Sequence, residues 1–262
     1  DLFLSGGTTL KGFGKAAGVP TSTWSSGGSM NTAKGQAMGA GLTNTAALVF
    51  GGYTGSDPFR VAITESYNGS TWTEVNDLNT ARAVGAGFGS QTAAIAAAGF
   101  AVPSYVANVE SWDGTNWTEI ADVNTARNAG AASGLQPAAL FFGGYTTTDV
   151  ANTEVWNGSS WTEVSDLNTA RAYLGGSDNT STSALAFGGT IPPGRTANTE
   201  SWDGSSWTEV NDLATARNSI GGTGANSTSA LAFGGYNGST GVSNTEEWSF
   251  SGLDPSTTPA AD

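Results

Sequence analysis

The sequence predicts an all-β propeller of four-stranded antiparallel blades, and three observations carry that prediction. A unit reading T-E-V-W-N-G-S-S-W-T-E-V-S-D-L-N-T-A-R at Thr153–Arg171, followed by a variable stretch and A-L-A-F-G-G ending at Gly189, recurs along nearly the whole chain. Its second Trp returns at Trp24, Trp72, Trp117, Trp161 and Trp207, at intervals of 48, 45, 44 and 46 residues, a period at which propellers repeat. Each unit holds four short strand-like segments between turn residues, and no stretch keeps a 3.6-residue apolar period.

Within the unit, the apolar run before the glycines appears as L-F-L-S-G-G at 2–7, A-A-L-V-F-G-G at 46–52, A-L-F-F-G-G at 139–144 and A-L-A-F-G-G at 184–189 and 230–235. A short apolar run stopped by two glycines suits a buried strand whose end must turn sharply, and it is read as the second strand of a blade. The copy at 94–100, A-I-A-A-A-G-F, keeps only Gly99, so a different contact is expected there. After a variable loop come Thr64–Tyr67, Val109–Trp112, Thr153–Trp156, Thr199–Trp202 and Thr245–Trp248, the third strands. Asn68-Gly69, Asp113-Gly114, Asn157-Gly158 and Asp203-Gly204 follow, pairs that favour a hairpin because Asn, Asp and Gly accept positive φ. W-T-E-V or W-T-E-I is then the fourth strand. D-L-N-T-A-R makes a turn, and the Gly- and Ala-rich stretch after it, as at Ala83–Gly87 and Ala172–Gly176, is the innermost first strand, where space is tightest.

Counting second-strand copies predicts six blades, with five (a shared closing blade) or seven as the alternatives. Residues 1–26 supply strands two to four and residues 217–250 strands one to three, so both terminal blades are incomplete. Residues 1–250 are read as one propeller, and 251–262 as a polar, Pro-containing tail expected to be poorly ordered. The start at Asp1 rather than Met is what a processed product or part of a longer polypeptide would have.

Composition narrows the functional classes. The chain has neither His nor Cys, so the usual general base, the commonest metal ligand and any disulfide are missing. A net charge of −13, spread through the repeat, speaks against nucleic acid and anionic membranes. The longest nearly apolar run, Ala93–Val102, is about half of what spans a bilayer.

An Arg closing the turn, a strand ending in Gly-Gly, an aromatic residue next and a Trp beyond it resemble the kelch repeat of β-propellers, across residues 2–250. The near-identical copies, rich in Gly, Thr, Ser, Asn and Ala and poor in Lys, also resemble kelch-like repeat proteins of bacteriophage appendages and virion surfaces. The resemblance implies antiparallel blades around a central channel. The copper chemistry of a kelch oxidase needs His and Cys and does not carry over. S-W-D-G-T-N-W at Ser111–Trp117 is similar to the sialidase hairpin motif but departs from it in spacing, so that reading is set aside.

Several residues have both a structural and a functional reading. Trp156 with Trp161, and Trp202 with Trp207, could stack on sugars, but thin sheets draw most of their core area from such rings, and they are assigned to the core. The ring of Arg82, Arg127, Arg171 and Arg217, with Lys34 in the first copy, is placed at the channel mouth; an anion site there is outweighed by pairing with the repeat's own Glu154-type and Asp166-type carboxylates. The Asp residues are spread over the repeats with no calcium loop, and identical carboxylates in every unit read as scaffold rather than as a glycosidase pair. No catalytic residue, metal or cofactor is expected.

What varies is the loop between strands two and three, which in a meander leaves on the same face as the connection from strand four to the next strand one. These loops gather Tyr53, Phe59, Arg60, Tyr105, Tyr145, Arg195 and Tyr236, types enriched where proteins bind partners. The expected function is a non-enzymatic interaction or structural module of a virion surface, appendage or other extracellular assembly, with protein partners, no nucleic acid and no membrane insertion. A multivalent carbohydrate-binding propeller is the alternative, and a glycosidase or lyase a more distant one.

Overall fold

The computed structural model describes residues 26–56, 59–177 and 179–249, all strand, turn or coil, without helix. Five sheets follow one another along the chain. The first holds β1 (Met38–Thr43), β2 (Ala46–Phe50), β3 (Thr64–Tyr67) and β4 (Trp72–Val75). The second holds β5 (Ala86–Ser90), β6 (Ala93–Ala101), β7 (Ser104–Trp112) and β8 (Trp117–Ile120), and the third β9 (Ala131–Leu135), β10 (Ala138–Phe142), β11 (Thr153–Trp156) and β12 (Trp161–Glu163). The fourth is β13 (Gly175–Gly176), β14 (Ala184–Phe187), β17 (Thr199–Trp202) and β18 (Trp207–Val210), its loop carrying a small hairpin, β15 (Thr190–Ile191) with β16 (Gly194–Arg195). The fifth has three strands, β19 (Gly221–Asn226), β20 (Ser229–Phe233) and β21 (Thr245–Ser249). Each sheet is an antiparallel meander in chain order, so the protein is an all-β propeller of four-stranded blades.

Among the described residues the blades number five, where counting second-strand copies predicts six with five as an alternative. The sixth second-strand copy, at 2–7, lies outside the described residues together with Trp24 and the tail at 251–262. Five copies make five blades whose first strands, β1, β5, β9, β13 and β19, stand next to one another around the axis. Close approach there demands glycine: a Cβ on Gly87 would sit 2.6 Å from the Gly39 nitrogen, and one on Gly222 only 2.4 Å from the Gly176 carbonyl oxygen.

The glycine pair after each second strand joins neighbouring blades. The second glycine donates its N–H to the carbonyl of the basic residue opening the next blade: Gly52 to Arg82, Gly144 to Arg171 and Gly189 to Arg217, each at 2.9 Å. In the degenerate copy Gly99 keeps this bond, to Arg127, and Ala98 takes the first glycine's place at φ 57°, at a cost of roughly 1 kcal/mol for an L residue.

The core lies between blades. Opposed Trp pairs end strands three and start strands four, Trp112 facing Trp117, Trp156 facing Trp161 and Trp202 facing Trp207, each with ring centroids 5.4 Å apart. All six rings are buried, so they are not surfaces on which a sugar could stack.

The arginine ring is not at the channel mouth. Each side chain is fully buried, and the guanidinium groups of Arg82, Arg127 and Arg171 reach carbonyls of their own blade's second strand. Arg82 donates to the Ala96 carbonyl in β6 and to Glu110 in β7; Arg171 donates to Ala186 in β14 and, at 2.9 Å, to Glu200 in β17. Arg127 pairs likewise with Glu154, Arg217 with Glu246 and Lys34 with Glu65. Burial lowers the pKa of Arg82, Arg127 and Arg171, the partner Glu opposing it. The same carboxylates cap the D-L-N-T turn: Glu110 accepts the N–H groups of Asn79 and Thr80, and Glu154 and Glu200 those of Asn124 and Asn168. A buried Glu with several charge-assisted donors explains why T-E-x-W and D-L-N-T-A-R recur together.

Candidate loop-face binding site

The two-to-three loops and the four-to-one connections leave on one face, where isolated bridges tie them: Gly35 with Tyr53, Ala83 with Phe100, Asn128 with Tyr145, Ala172 with Thr190 and Asn218 with Tyr236. Each loop root is thereby anchored beside the channel while its tip differs. In the second blade the loop is drawn out as a continuation of β6 and β7, Ala101 pairing with Ser104.

Five of the seven candidate residues meet in one arc across three blades. Tyr53 and Phe59 stack at 5.9 Å with their rings 10° apart. The Arg60 guanidinium lies 5.6 Å from the Tyr53 ring and 4.6 Å from that of Phe100 in the next blade. Phe100 meets Tyr105 edge-on at 5.5 Å, and Tyr105 meets Tyr145 of the third blade at 5.9 Å. Gln36, Tyr53, Phe59 and Arg60 line an open pocket of about 450 Å³. The remaining two candidates form a separate pair, Arg195 of the fourth blade lying 4.7 Å from the Tyr236 ring of the fifth.

The charge distribution sets this face apart. Among the described residues, Lys34, Arg82, Arg127, Arg171 and Arg217 are engaged in ion pairs with Glu. Arg60 and Arg195, the other two described basic residues, lie outside those pairs and both rest on aromatic rings of the loop face. Among the described residues, the two basic side chains outside those ion pairs are thus both on this face.

A ring of five further residues, Gln36, Val84, Ala129, Tyr173 and Ser219, surrounds the channel on the same face and lines a cavity of about 300 Å³. Each stands two residues after the buried basic residue of its blade, and each has positive φ, between 52° and 60°. The N–H of Val84 donates to the Gln36 carbonyl (3.0 Å), Ala129 to Val84 (2.8 Å), Tyr173 to Ala129 (2.7 Å) and Ser219 to Tyr173 (2.8 Å). These bonds over-determine a backbone conformation that disfavours Val and Tyr, so the strain is held by the ring. The sequence signal for it is thin: two residues after the repeated A-R or A-K, this position changes in every unit. Tyr173 projects beside the arc, its hydroxyl pKa raised first by burial and then by Tyr105, Asp149 and Tyr145, and burial also raises Asp149. Phe100, the link between blades one and two, opens the second blade's variable loop but is not among the seven candidates.

Among the described residues no group of three or more Asp or Glu gathers to hold a metal ion, and no helix is long and apolar enough to cross a membrane. The geometry offers aromatic faces and two guanidinium groups. No family model and no curated protein matches this sequence, so the functional reading rests on the chain's own geometry.

Proposed function

We propose that this chain is a non-enzymatic interaction module, a kelch-type propeller that docks a protein partner of a larger assembly on its loop face. The observation carrying this reading is the continuous arc Phe59–Tyr53–Arg60–Phe100–Tyr105–Tyr145, built from loops that differ while the blades beneath them repeat. Tyr and Arg are the residues that most often dominate binding energy, and a partner presenting carboxylates beside an apolar patch complements Arg60 and Arg195. The buried Glu of each of the first four blades is occupied in an ion pair, which supports scaffold rather than catalysis for those carboxylates. The setting is a virion surface, an appendage or another extracellular assembly.

The test is isolation from native material by mass photometry or cryo-EM, followed by affinity measurements on variants. The expected result is a fixed copy number on a particle or complex, with Phe59→Ala, Arg60→Ala and Arg195→Ala each weakening the contact by roughly tenfold or more. Unchanged affinity in all three would remove the loop face from consideration. A second reading, carbohydrate binding, draws on the exposed Tyr53–Phe59 stack beside its pocket. A glycan-array signal at one site per chain, abolished by Tyr53→Ala, would favour it; buried Trp pairs do not support one site per blade.

A further inference from the structure

In each blade the residue after the glycines forms the loop root: Tyr53, Phe100, Tyr145, Thr190 and Tyr236, the partners of the isolated bridges. At two blade boundaries, a guanidinium from the preceding blade's loop rests on the next root ring. Arg60 of the first blade lies 4.6 Å from the Phe100 ring, and Arg195 of the fourth lies 4.7 Å from the Tyr236 ring. At both places the propeller supplies its own cation to an aromatic face. The boundary between blades two and three is built differently. Its preceding loop sets Tyr105, not an arginine, against the root ring of Tyr145, the two meeting at 5.9 Å and 82° to wall a corner. Tyr145 exchanges backbone hydrogen bonds with Asn128, at 3.0 and 2.8 Å, and the N–H of Tyr173 donates to the adjacent Ala129 at 2.7 Å. That connection brings a third ring alongside, 38 % exposed, its ionisation opposed first by burial and then by Tyr105, Asp149 and Tyr145.

Asp149 holds the place opposite Tyr145 that Arg60 holds opposite Tyr53. Its Oδ2 is buried and accepts no hydrogen bond, and among the described residues its carboxylate is in no ion pair. Burial raises its pKa, with no basic neighbour among the described residues acting against the rise. A buried carboxylate oxygen is normally paired or hydrogen-bonded, so this one is an acceptor left over by the fold. The surroundings select among cations. Calcium takes about six to eight oxygens, whereas tyrosine faces attract an ammonium or guanidinium group, as the ring of Tyr236 does here.

We propose that Asp149, Tyr105, Tyr145 and Tyr173 form a binding site for an organic cation, an alkylammonium or guanidinium group, which takes at this boundary the place that Arg60 and Arg195 take at theirs. Under the docking reading the group is a lysine or arginine side chain of the partner; the site itself does not depend on that reading, and small cations test it alone. The full chain, with its tyrosine rings isotopically labelled, is titrated by NMR with n-butylammonium and ethylguanidinium as side-chain mimics, with tetramethylammonium as a free quaternary amine, and with sodium chloride at equal ionic strength. Saturable shifts of the Tyr105, Tyr145 and Tyr173 signals are expected with an organic cation and not with sodium, and the tightest of the three names the source. Asp149→Asn, of the same size but neutral, weakens the binding roughly tenfold or more. Tyr105→Phe keeps it, Tyr105→Ala loses most of it, and Asp203→Asn on the opposite face leaves it unchanged. No saturable shift, equal shifts with sodium, or undiminished binding by Asp149→Asn overturns the proposal. The docking reading stands or falls separately, on the partner affinity of Phe59→Ala, Arg60→Ala and Arg195→Ala.

Discussion

The two faces of the propeller follow opposite rules. On one, the hairpins between strands three and four repeat Asn-Gly or Asp-Gly, the glycine φ lying between 93° and 98°, and pack over the neighbouring one-to-two turns at Thr45, Thr92, Pro137 and Thr182. On the other, no two loops agree in sequence and their lengths vary, yet their roots are pinned by the same bridges and the same ring of backbone hydrogen bonds. The difference teaches that repetition here marks what must be geometrically identical. Diversity is confined to atoms that the scaffold does not use. Both faces hang from one interior, so the sharpest tests ask which substitutions propagate to both and which stay on one.

The largest effect is expected from the buried ion pairs. Arg127→Ala strands Glu154, its side chain 1 % exposed, without its cation and without the partner that orders the Asn124 turn. Breaking such a pair costs about 3–5 kcal/mol. Denaturant unfolding reads this directly, and both faces lose order together. Arg217→Ala, whose partner Glu246 is a quarter exposed, costs less; equal losses at the two sites would mean that burial does not set the penalty.

A smaller effect runs in the stabilising direction. Trp117 and Trp207 donate to a threonine of the preceding blade, but Trp161 meets Val109 at that position and its buried Nε1 has no hydrogen-bond partner. Val109→Thr supplies the acceptor and is expected to add about 1 kcal/mol, raising Tm by about 3 °C. A decrease would show that the third blade junction has repacked around valine. Smaller still is the stability change from Arg60→Ala on the loop face, no more than about 1 kcal/mol for a cation–π contact at an accessible site; loss of partner binding with an unchanged melting curve separates face from scaffold.

Much of this was legible in the chain. The period, the Asn-Gly and Asp-Gly hairpins and the glycine-terminated second strands specify antiparallel blades because each is a local backbone requirement. The loop face was legible by exclusion, as the part that fails to repeat. Depth was not: the pattern pairs Arg82 with a Glu but cannot say that the guanidinium is fully buried against the Ala96 carbonyl of β6. Nor was the ring of Gln36, Val84, Ala129, Tyr173 and Ser219, since its positive φ is imposed by hydrogen bonds between blades and leaves no propensity cue in a valine or a tyrosine. The blade number turns on the second-strand copy at 2–7, which lies outside the described residues; the described copies form five sheets, the smaller of the counts the repeat allowed.

The smallest effect tests the repeated face by pH. The fully exposed Asp203 carboxylate is held down to about 2, first by the Ser206 N–H and then by the Ser205 hydroxyl and N–H. A carboxyl whose folded value lies below its ordinary 3.8 stabilises the fold at pH above 3.8 and loses that contribution as pH falls toward 2. Asn157 makes the equivalent hairpin with a neutral amide, its Oδ1 accepting the N–H groups of Ser159 and Ser160. Asp203→Asn should therefore keep the turn and its positive-φ Gly204, while removing the acid-dependent part of the stability between pH 4 and 2. The side-chain carbon shift of Asp203, followed by NMR, should titrate near 2, and the melting curves of wild type and variant should converge at the acid end. A midpoint at the ordinary aspartate value would mean that these hydrogen bonds follow the fold of the hairpin rather than hold it, and that glycine alone accounts for its repetition.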